Sequence, residues 1–243
     1  MGPAVVRVGE LAAGTPYVAG TLDAYLGTGG SARGPEPLVA SLTRFDCVTL
    51  VESCLAVART SLEAPAWDRF LAHLSTMRYR GGVRAGYASR LHYFSEWISD
   101  GMRRGLVRDL GAELGAIDDD RPLRFMTEHR QSYPALADGE TFAAIAAMER
   151  SLDGAARHLV PTDQVGSVVS RLETGDVLAF ATSIPGLDVT HAAMAYRDRD
   201  GVMRVLHAPL SGGVVEVAHR PLPEYVAAIR RSTGILVARP LWG

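Results

Sequence analysis

Cys47 stands where a helix is predicted to begin, and a cysteine in that position can act as a nucleophile. Asp46 is a favourable N-cap residue, because its carboxylate can accept a hydrogen bond from an otherwise unpaired backbone N–H. Apolar residues such as Val48 and Val51 then recur at helical spacing, which predicts a helix over about 46–60. The helix dipole and the free N–H groups stabilise the nucleophilic thiolate. The position therefore predicts a reactive Cys47 with a lowered thiol pKa; the alternative is a buried, inert cysteine.

Two histidines far downstream, His191 and His207, can supply a base for this thiol. The turn between their predicted strands is Asp198–Gly201, and glycine at its last position suits a three-residue loop with a glycine bulge. With Asp198 opposite Val202, the two histidines fall on the same face of the sheet, one diagonal step apart, about 7–8 Å between Cα atoms. Their imidazole rings can meet across that distance.

The chain order Cys47, His191, His207 predicts a cysteine hydrolase. The order and rough spacing are those of papain-type enzymes, in which the thiol lies on a helix and its base on a sheet. Cys47 would attack a carbonyl carbon, His191 would take the thiol proton and return it to the leaving amine, and His207 would orient His191. The backbone N–H of Cys47 can help to bind the oxyanion. The alternatives are a hydrogen-bonded core histidine at His191, or a zinc site, for which the motif spacing is missing.

Several further motifs resemble those of the NlpC-like, papain-related cysteine hydrolases of bacterial cell walls, and more narrowly their branch described as N-acetylmuramoyl-L-alanine amidases. The block Arg90–Trp97 is the most specific of these motifs, since a generic NlpC-like domain lacks it. Pro209 departs from the pattern, in which a serine follows His–Ala. The matching segments, which span residues 14 to 217, are Gly14–Tyr17, Phe45–Glu52, Tyr79–Gly82, Arg90–Trp97, Gly186–His191 and Leu206–Ala208.

The resemblance implies an α+β, papain-like NlpC-type fold, in which N-terminal helices carry the cysteine and pack on a mostly antiparallel sheet that carries the histidines. It implies a Cys47–His191–His207 triad and cleavage of the amide between N-acetylmuramic acid and L-alanine through a thiol acyl-enzyme. A D,L-endopeptidase acting within the stem peptide and a non-catalytic muropeptide-binding module remain as alternatives. Peptidoglycan fragments (muropeptides) are the expected partners, and no cofactor or metal is implied.

The substrate-binding residues are predicted around this triad. Peptidoglycan stems carry carboxylates, so one of Arg80, Arg84 and Arg90 is expected to pair with one; the alternative is a solvated arginine face. The aromatic residues near Arg90 are expected either to line the pocket or to lie in the core. The predicted substrate-binding set is Tyr17, Asp46, Arg90, Tyr93, Ser95, Trp97 and Asp188.

The wider pattern of the chain predicts one α+β domain over residues 1–243, with a helical half to about 160 and a sheet half from about 161. Residues 14–37 are rich in glycine and proline and are predicted to be mainly loop. The predicted helices are 46–60, 65–77, one ending near Gly101 or Gly105, 140–158, 165–172 and 222–230, and the predicted strands are 177–181, 189–196, 203–207, 214–217 and 235–238.

Composition excludes several classes of function. A net charge of −2 gives no basic face for nucleic acid, and the 25 basic residues are all arginine, which excludes a lysine base or Schiff base. No apolar run approaches the ~18 residues that span a membrane, and no signal peptide is visible. If the protein is exported, it is expected to act in the cell envelope or periplasm. If it is not exported, it is expected to act in the cytoplasm. Cys47 and Cys54 are too far apart along one helix for a disulfide and are expected to be free thiols.

Overall fold

The computed structural model of the protein describes residues 1–210 and 213–242. Its helices and strands are described below with labels in chain order. The α-helices are α1 (Gly2–Leu11), α2 (Ala24–Gly27), α3 (Cys47–Thr60), α4 (Trp67–Arg78), α5 (Phe94–Arg103), α6 (Gly111–Leu114), α7 (Phe125–Glu128), α8 (Gly139–Ser151), α9 (Val165–Val168) and α10 (Leu222–Ala228). The strands are β1 (Val107–Asp109), β2 (Ile117–Asp119), β3 (Arg157–Pro161), β4 (Val177–Thr182), β5 (Val189–Arg197), β6 (Met203–His207), β7 (Glu216–Val217) and β8 (Ser232–Pro240).

The strands of the described residues form one sheet. Neighbouring strands follow the order β2-β3-β8-β4-β5-β6-β7, and β1 pairs with β8. All of the pairings between these strands are antiparallel. The combination of helices with such a sheet confirms the predicted α+β class.

Helix α3 begins where the sequence predicts. Asp46 Oδ1 accepts the backbone N–H of Thr49 at 2.7 Å, and the Asp46 N–H donates to Thr49 Oγ1 at 2.9 Å. This reciprocal cap pairs two backbone N–H groups at the helix start and makes Cys47 the first helical residue. Behind it, Leu50 and Val51 are fully buried, so the apolar side of α3 holds the cap in place against the sheet.

The turn between β5 and β6 also has the predicted register. The Asp198 N–H donates to the Val202 carbonyl at 2.9 Å. Gly201 has a φ of 79°, a left-handed conformation that glycine adopts without the steric cost of a Cβ. The ladder between the two strands keeps this register, and His191 and His207 therefore lie on the same face.

Helices cover both faces of the sheet. On one face, α1, α3, α4 and α5 pack on side chains such as Met194, while on the other face α9 and α10 pack on side chains such as Phe180. A third cluster, which includes Tyr93 and Ile145, joins α5 to α8 away from the sheet. The sheet is thus the rigid layer between two apolar cores, and its strand ends are available to position polar groups.

The first part of the chain contains more strand than predicted. Strands β1, β2 and β3 all begin before residue 161, in the half expected to be helical. The helix predicted over 140–158 ends at Ser151, because Gly154 turns the chain with a φ of 72°. The three residues of β1 and the three of β2 are too short to show a strand alternation, and they are strands because β8 and β3 pair with them.

No helix within the described ranges is both long enough and apolar enough to span a membrane.

Candidate active site

Cys47 opens on a cavity between α3, α5 and β5. The cavity measures about 140 Å³ and adjoins a second cavity of about 210 Å³, with which it shares Val48, Leu91 and His92. The two adjoining cavities, together called the groove, are large enough for part of a peptide or sugar. The residues that line the first cavity are Cys47, Val48, Leu91, His92, Phe94, Trp97, Leu187, Asp188, Val189, Thr190, His191 and Ala192.

The two histidines meet as predicted. His191 Nε2 lies 2.8 Å from His207 Nδ1, and the rings stand edge to face with their centroids 5.1 Å apart. A bulge in β5 precedes His191: Phe180 of β4 pairs with His191, whereas the next residue of β4 pairs with Val189, which leaves Thr190 unpaired. Bulges of this kind redirect a side chain next to a site. Because Nε2 of His191 is used by His207, its Nδ1 is the nitrogen available to a substrate or to the thiol.

Two residues that the sequence did not single out complete the surroundings of this pair. The Tyr225 hydroxyl, from α10, lies 3.1 Å from His207 Nδ1, and Phe180 stacks on the His191 ring with centroids 5.6 Å apart. Tyr225 belongs to a predicted helix, but nothing in its local sequence indicates that its hydroxyl contacts the histidine pair. It reaches the pair only because α10 packs on the histidine face of the sheet.

Burial decides the protonation states in the groove. It raises the pKa of the Cys47 thiol to about 11, and the neighbouring Asp46 carboxylate raises it further, whereas N–H groups of Ala192, Val48 and Cys47 itself act in the opposite direction. The lowered pKa predicted from the helix N-terminus is therefore wrong, since desolvation outweighs the dipole. Burial also lowers the pKa of His191 to about 3, helped by His207, and that of His207 to about 4. At neutral pH the thiol and both rings are uncharged.

The thiol and the base share the cavity without touching. Cys47 Sγ makes no hydrogen bond to either ring nitrogen of His191 in the described part of the chain, and the sulphur lies instead against the backbone N–H of Ala192. Catalytic hydrogen bonds are often long in unliganded enzymes and tighten when substrate binds.

Arg90 lines the second cavity rather than a solvated face. Its side chain is buried, pairs with Asp23 at 2.5 Å and with Glu36 at 3.5 Å, and stands over the Tyr87 ring. Its Nη1 atom is buried and has no hydrogen-bond partner among the described residues. Nη1 is the atom that lies 3.5 Å from Glu36 Oε1, so the guanidinium of Arg90 is already paired with two carboxylates of the protein.

Arg80 and Arg84, the other two arginines considered from the sequence, are used in structural contacts. Arg80 pairs with Glu96 at 2.5 Å, and Arg84 donates to the Glu36 carbonyl at 2.9 Å.

Asp188 and Trp97, two of the predicted substrate-binding residues, line the same cavity as Cys47. Both carboxylate oxygens of Asp188 accept backbone N–H groups, from Ser95 at 2.8 Å and Val189 at 2.7 Å. Burial nevertheless raises the pKa of Asp188. Trp97 is buried against Phe94, with ring centroids 4.9 Å apart, and its indole Nε1 has no partner within the described residues. The wall thus combines an aromatic surface with one unpaired donor.

Two predicted substrate-binding residues lie elsewhere. Tyr93 is buried in the third cluster, where its hydroxyl donates to Glu149 at 2.6 Å, because the α5 start turns its ring away from the groove. Ser95 lines a separate cavity of about 180 Å³ and reaches the groove only through its N–H bond to Asp188. Neither residue lines the cavity beside Cys47, so their positions give no support to the predicted contact with substrate there.

Tyr17 and Asp46 flank the nucleophile on the other side. Tyr17 is half-buried next to Phe45, and burial together with the nearby Cys47 raises the pKa of its phenol. Asp46 lines the second cavity, but its Oδ1 is already used by the N–H and hydroxyl of Thr49. Its main contact is therefore the helix cap.

Within residues 1–210 and 213–242, no group of three or more His, Cys, Asp or Glu side chains is arranged to hold a metal ion.

Comparison with solved structures gives relatives over nearly the whole chain. An N-acetylmuramoyl-L-alanine amidase from Bacteroides uniformis superposes with a TM-score of 0.90 and 32% identity, covering 99% of this chain and 98% of that one. A protein from Bacteroides fragilis, described provisionally as a xylanase, has a TM-score of 0.84 and 32% identity over 96% and 99% of the two chains. A Legionella pneumophila protein with 19% identity and a TM-score of 0.73, covering 99% and 89%, shares the fold.

Sequence comparison places the chain more narrowly. No curated protein sequence matches it. Residues 7–235 match the model of the family described as AmiA-like, N-acetylmuramoyl-L-alanine amidase-like. This match covers most of the chain, including both cavities and the histidine pair, and the chain therefore belongs to the N-acetylmuramoyl-L-alanine amidase-like family.

Proposed function

We propose that this protein is a cysteine amidase that cleaves the amide between N-acetylmuramic acid and L-alanine in muropeptides or peptidoglycan. The observation that carries the proposal is the 2.8 Å contact between His191 and His207 on the wall of a cavity that Cys47 enters from a helix start, in a chain of this family. We propose further that residues 1–243 form one NlpC-like, papain-related domain, with Cys47, His191 and His207 as its triad.

The first half-reaction would transfer the muramoyl group to sulphur. Cys47 gives its proton to His191 Nδ1, and the sulphur forms a bond to the carbonyl carbon of the lactyl group of N-acetylmuramic acid. The resulting oxyanion lies next to the free N–H groups of Cys47 and Val48 at the start of α3. His191 then returns the proton to the nitrogen of L-alanine, the C–N bond breaks, and the stem peptide leaves with a free amine.

The second half-reaction would restore the thiol. A water molecule gives a proton to His191 Nδ1 and attacks the thioester carbon, and the C–S bond breaks to release the muramic acid carboxylate. His191 returns the proton to the Cys47 sulphur. Because burial holds the thiol pKa at about 11, the thiolate forms only when His191 accepts the proton, so catalysis depends fully on the base.

The groove supplies contacts of the right chemistry for a muropeptide. Arg90 lines the second cavity, where its guanidinium would bind a stem carboxylate in exchange for its contact with Asp23 or Glu36. Phe94 and Trp97 offer an apolar wall for a sugar or peptide face, with the Trp97 Nε1 as a donor. Tyr17 lies near Cys47, and Asp188 lines the same cavity as Cys47, so both are close to the proposed position of the scissile amide.

Product analysis tests the proposal. Purified protein is incubated with a defined N-acetylmuramoyl peptide, and the products are resolved by mass. Release of the intact stem peptide with L-alanine at its amino end, absent in the Cys47→Ala variant, supports the amidase. Fragments cut only within the stem would instead show the D,L-endopeptidase.

Two other functions would give different results with the same purified protein. If the wild type binds muropeptides but releases no product, the protein is a non-catalytic binding module. Release of reducing sugar from xylan would favour the activity named for the Bacteroides fragilis relative. Glycoside hydrolysis ordinarily uses a pair of facing carboxylates. Asp188 lines the cavity beside Cys47 with both oxygens held by backbone N–H groups, which makes it unsuited to that role.

A further inference from the structure

His207 has one ring nitrogen that the proposed triad does not use. Its Nε2 atom is buried and has no hydrogen-bond partner in the described ranges. The nearest carboxylate oxygen is Glu216 Oε1, at 3.8 Å. Glu216 stands directly opposite His207 in the ladder between β6 and β7, so the backbone itself fixes the two side chains as neighbours. A buried, unpaired imidazole nitrogen beside a carboxylate calls for an explanation.

The hydrogen bond between the histidines requires a particular tautomer for catalysis. One proton lies between His191 Nε2 and His207 Nδ1, which are 2.8 Å apart. If His207 Nδ1 carries it, the neutral His191 has its own proton on Nδ1 and cannot accept one from Cys47. If His191 Nε2 carries it, His191 Nδ1 is a free base, and the proton of His207 must lie on Nε2.

We propose that Glu216 is a positioning residue that holds His207 in the tautomer protonated on Nε2 and thereby keeps His191 Nδ1 free as the base. A carboxylate can only accept a hydrogen bond, so it favours the state in which Nε2 of His207 is the donor. The Tyr225 hydroxyl also lies 3.1 Å from His207 Nδ1, but it does not select a tautomer, because a hydroxyl can either donate or accept. The inference rests on the proposed function for its catalytic consequence, but not for the tautomer itself.

The surroundings of Glu216 allow it to close the remaining distance. Its side chain is 42% exposed and lines an open cleft of about 430 Å³ on the side of the pair away from Cys47. His219, Arg220 and Tyr225 line the same cleft. A carboxylate in this position has room to move the short distance to a hydrogen bond with His207 Nε2, and the cleft shares no lining residue with the cavity beside Cys47.

The test combines a spectroscopic measurement with kinetics. Protein labelled with ¹⁵N-histidine reports by NMR which ring nitrogen of each histidine is protonated. The wild type is expected to show His207 protonated on Nε2 and His191 unprotonated on Nδ1. Glu216→Gln replaces a carboxylate, which can only accept a hydrogen bond, with an amide, which can also donate one. The variant is expected to populate the other tautomer and to lower kcat about tenfold with little change in KM. Glu216→Asp, which keeps the carboxylate on a shorter side chain, is expected to fall between the two.

Glu224→Gln is the matched control, because Glu224 is an exposed residue of α10 and the substitution makes the same change of charge. Its tautomers and kcat are expected to equal those of the wild type. The proposal is overturned if Glu216→Gln keeps the wild-type tautomers, or if Glu224→Gln lowers kcat as much. A wild-type protein that shows the predicted tautomers, loses them in Glu216→Gln and still hydrolyses no muropeptide would refute the proposed function and leave the role of Glu216 intact.

Discussion

Replacement of His207 is the most direct test of the predicted triad. In the tautomer proposed for the resting protein, the neutral His191 donates from Nε2 to His207 Nδ1, 2.8 Å away. When His191 takes the Cys47 proton it becomes cationic, and the same bond becomes charge-assisted. His207 is only 2% exposed and does not line the cavity beside Cys47, so we expect it not to contact a substrate bound there. We therefore expect His207→Ala to lower kcat and to leave KM nearly unchanged.

The size of the effect follows from that bond. A hydrogen bond to a charged group contributes about 1.5–3 kcal/mol. At 1.36 kcal/mol for each factor of ten, loss of this amount in the transition state lowers kcat about 10- to 150-fold. His207→Asn is a matched variant, because an asparagine oxygen can accept the His191 Nε2 proton close to the position of Nδ1. We expect it to retain a larger share of kcat than His207→Ala.

Steady-state hydrolysis of a muramoyl peptide, with the stem peptide quantified by mass, gives kcat and KM for each variant. Thermal unfolding of each variant shows whether the fold is kept. Triad members act as a unit, so Cys47→Ala combined with His207→Ala is expected to cost little more than Cys47→Ala alone. A His207→Ala variant that unfolds like the wild type and keeps kcat within about twofold would refute the assignment of His207.

Three further predictions follow from contacts around the site. Asp46→Asn keeps an acceptor for the helix cap but removes the negative charge that raises the pKa of the Cys47 thiol. The pH midpoint of Cys47 labelling by iodoacetamide should therefore move down. An unchanged midpoint would contradict the coupling between Asp46 and Cys47. Tyr93→Phe removes the donor to the fully buried Glu149, so urea unfolding should show a loss of about 1–3 kcal/mol, with kcat and KM unchanged; a raised KM would return Tyr93 to the substrate groove. Cys54→Ala should keep kcat and lose about 1 kcal/mol of stability, because Cys54 is 1% exposed in the core; an inactive variant would refute Cys47 as the nucleophile.

Features that depend on a few neighbouring residues could be predicted from the sequence alone. Asp46 and Thr49 define the start of α3 through a cap that closes within one turn, and the apolar spacing behind them extends the helix. Gly201 fixes a turn, and the turn fixes the register that puts His191 and His207 on one face. Because these interactions are local, their outcome can be predicted without the rest of the chain.

Which residues line the groove, and which protonation states they have, depends on the packing of segments that are distant in the chain. Tyr93 and Ser95 are close in sequence to Trp97, yet α5 turns them toward Glu149 and a separate cavity.

The thiol pKa shows the same division between local and tertiary effects. The helix end favours a thiolate at Cys47, but desolvation by residues from distant segments raises the pKa to about 11. Glu216 and Tyr225 likewise reach His207 through strand pairing and helix packing. Desolvation and long-range contacts depend on every atom that surrounds a group, and residues adjacent in space need not be adjacent in the chain.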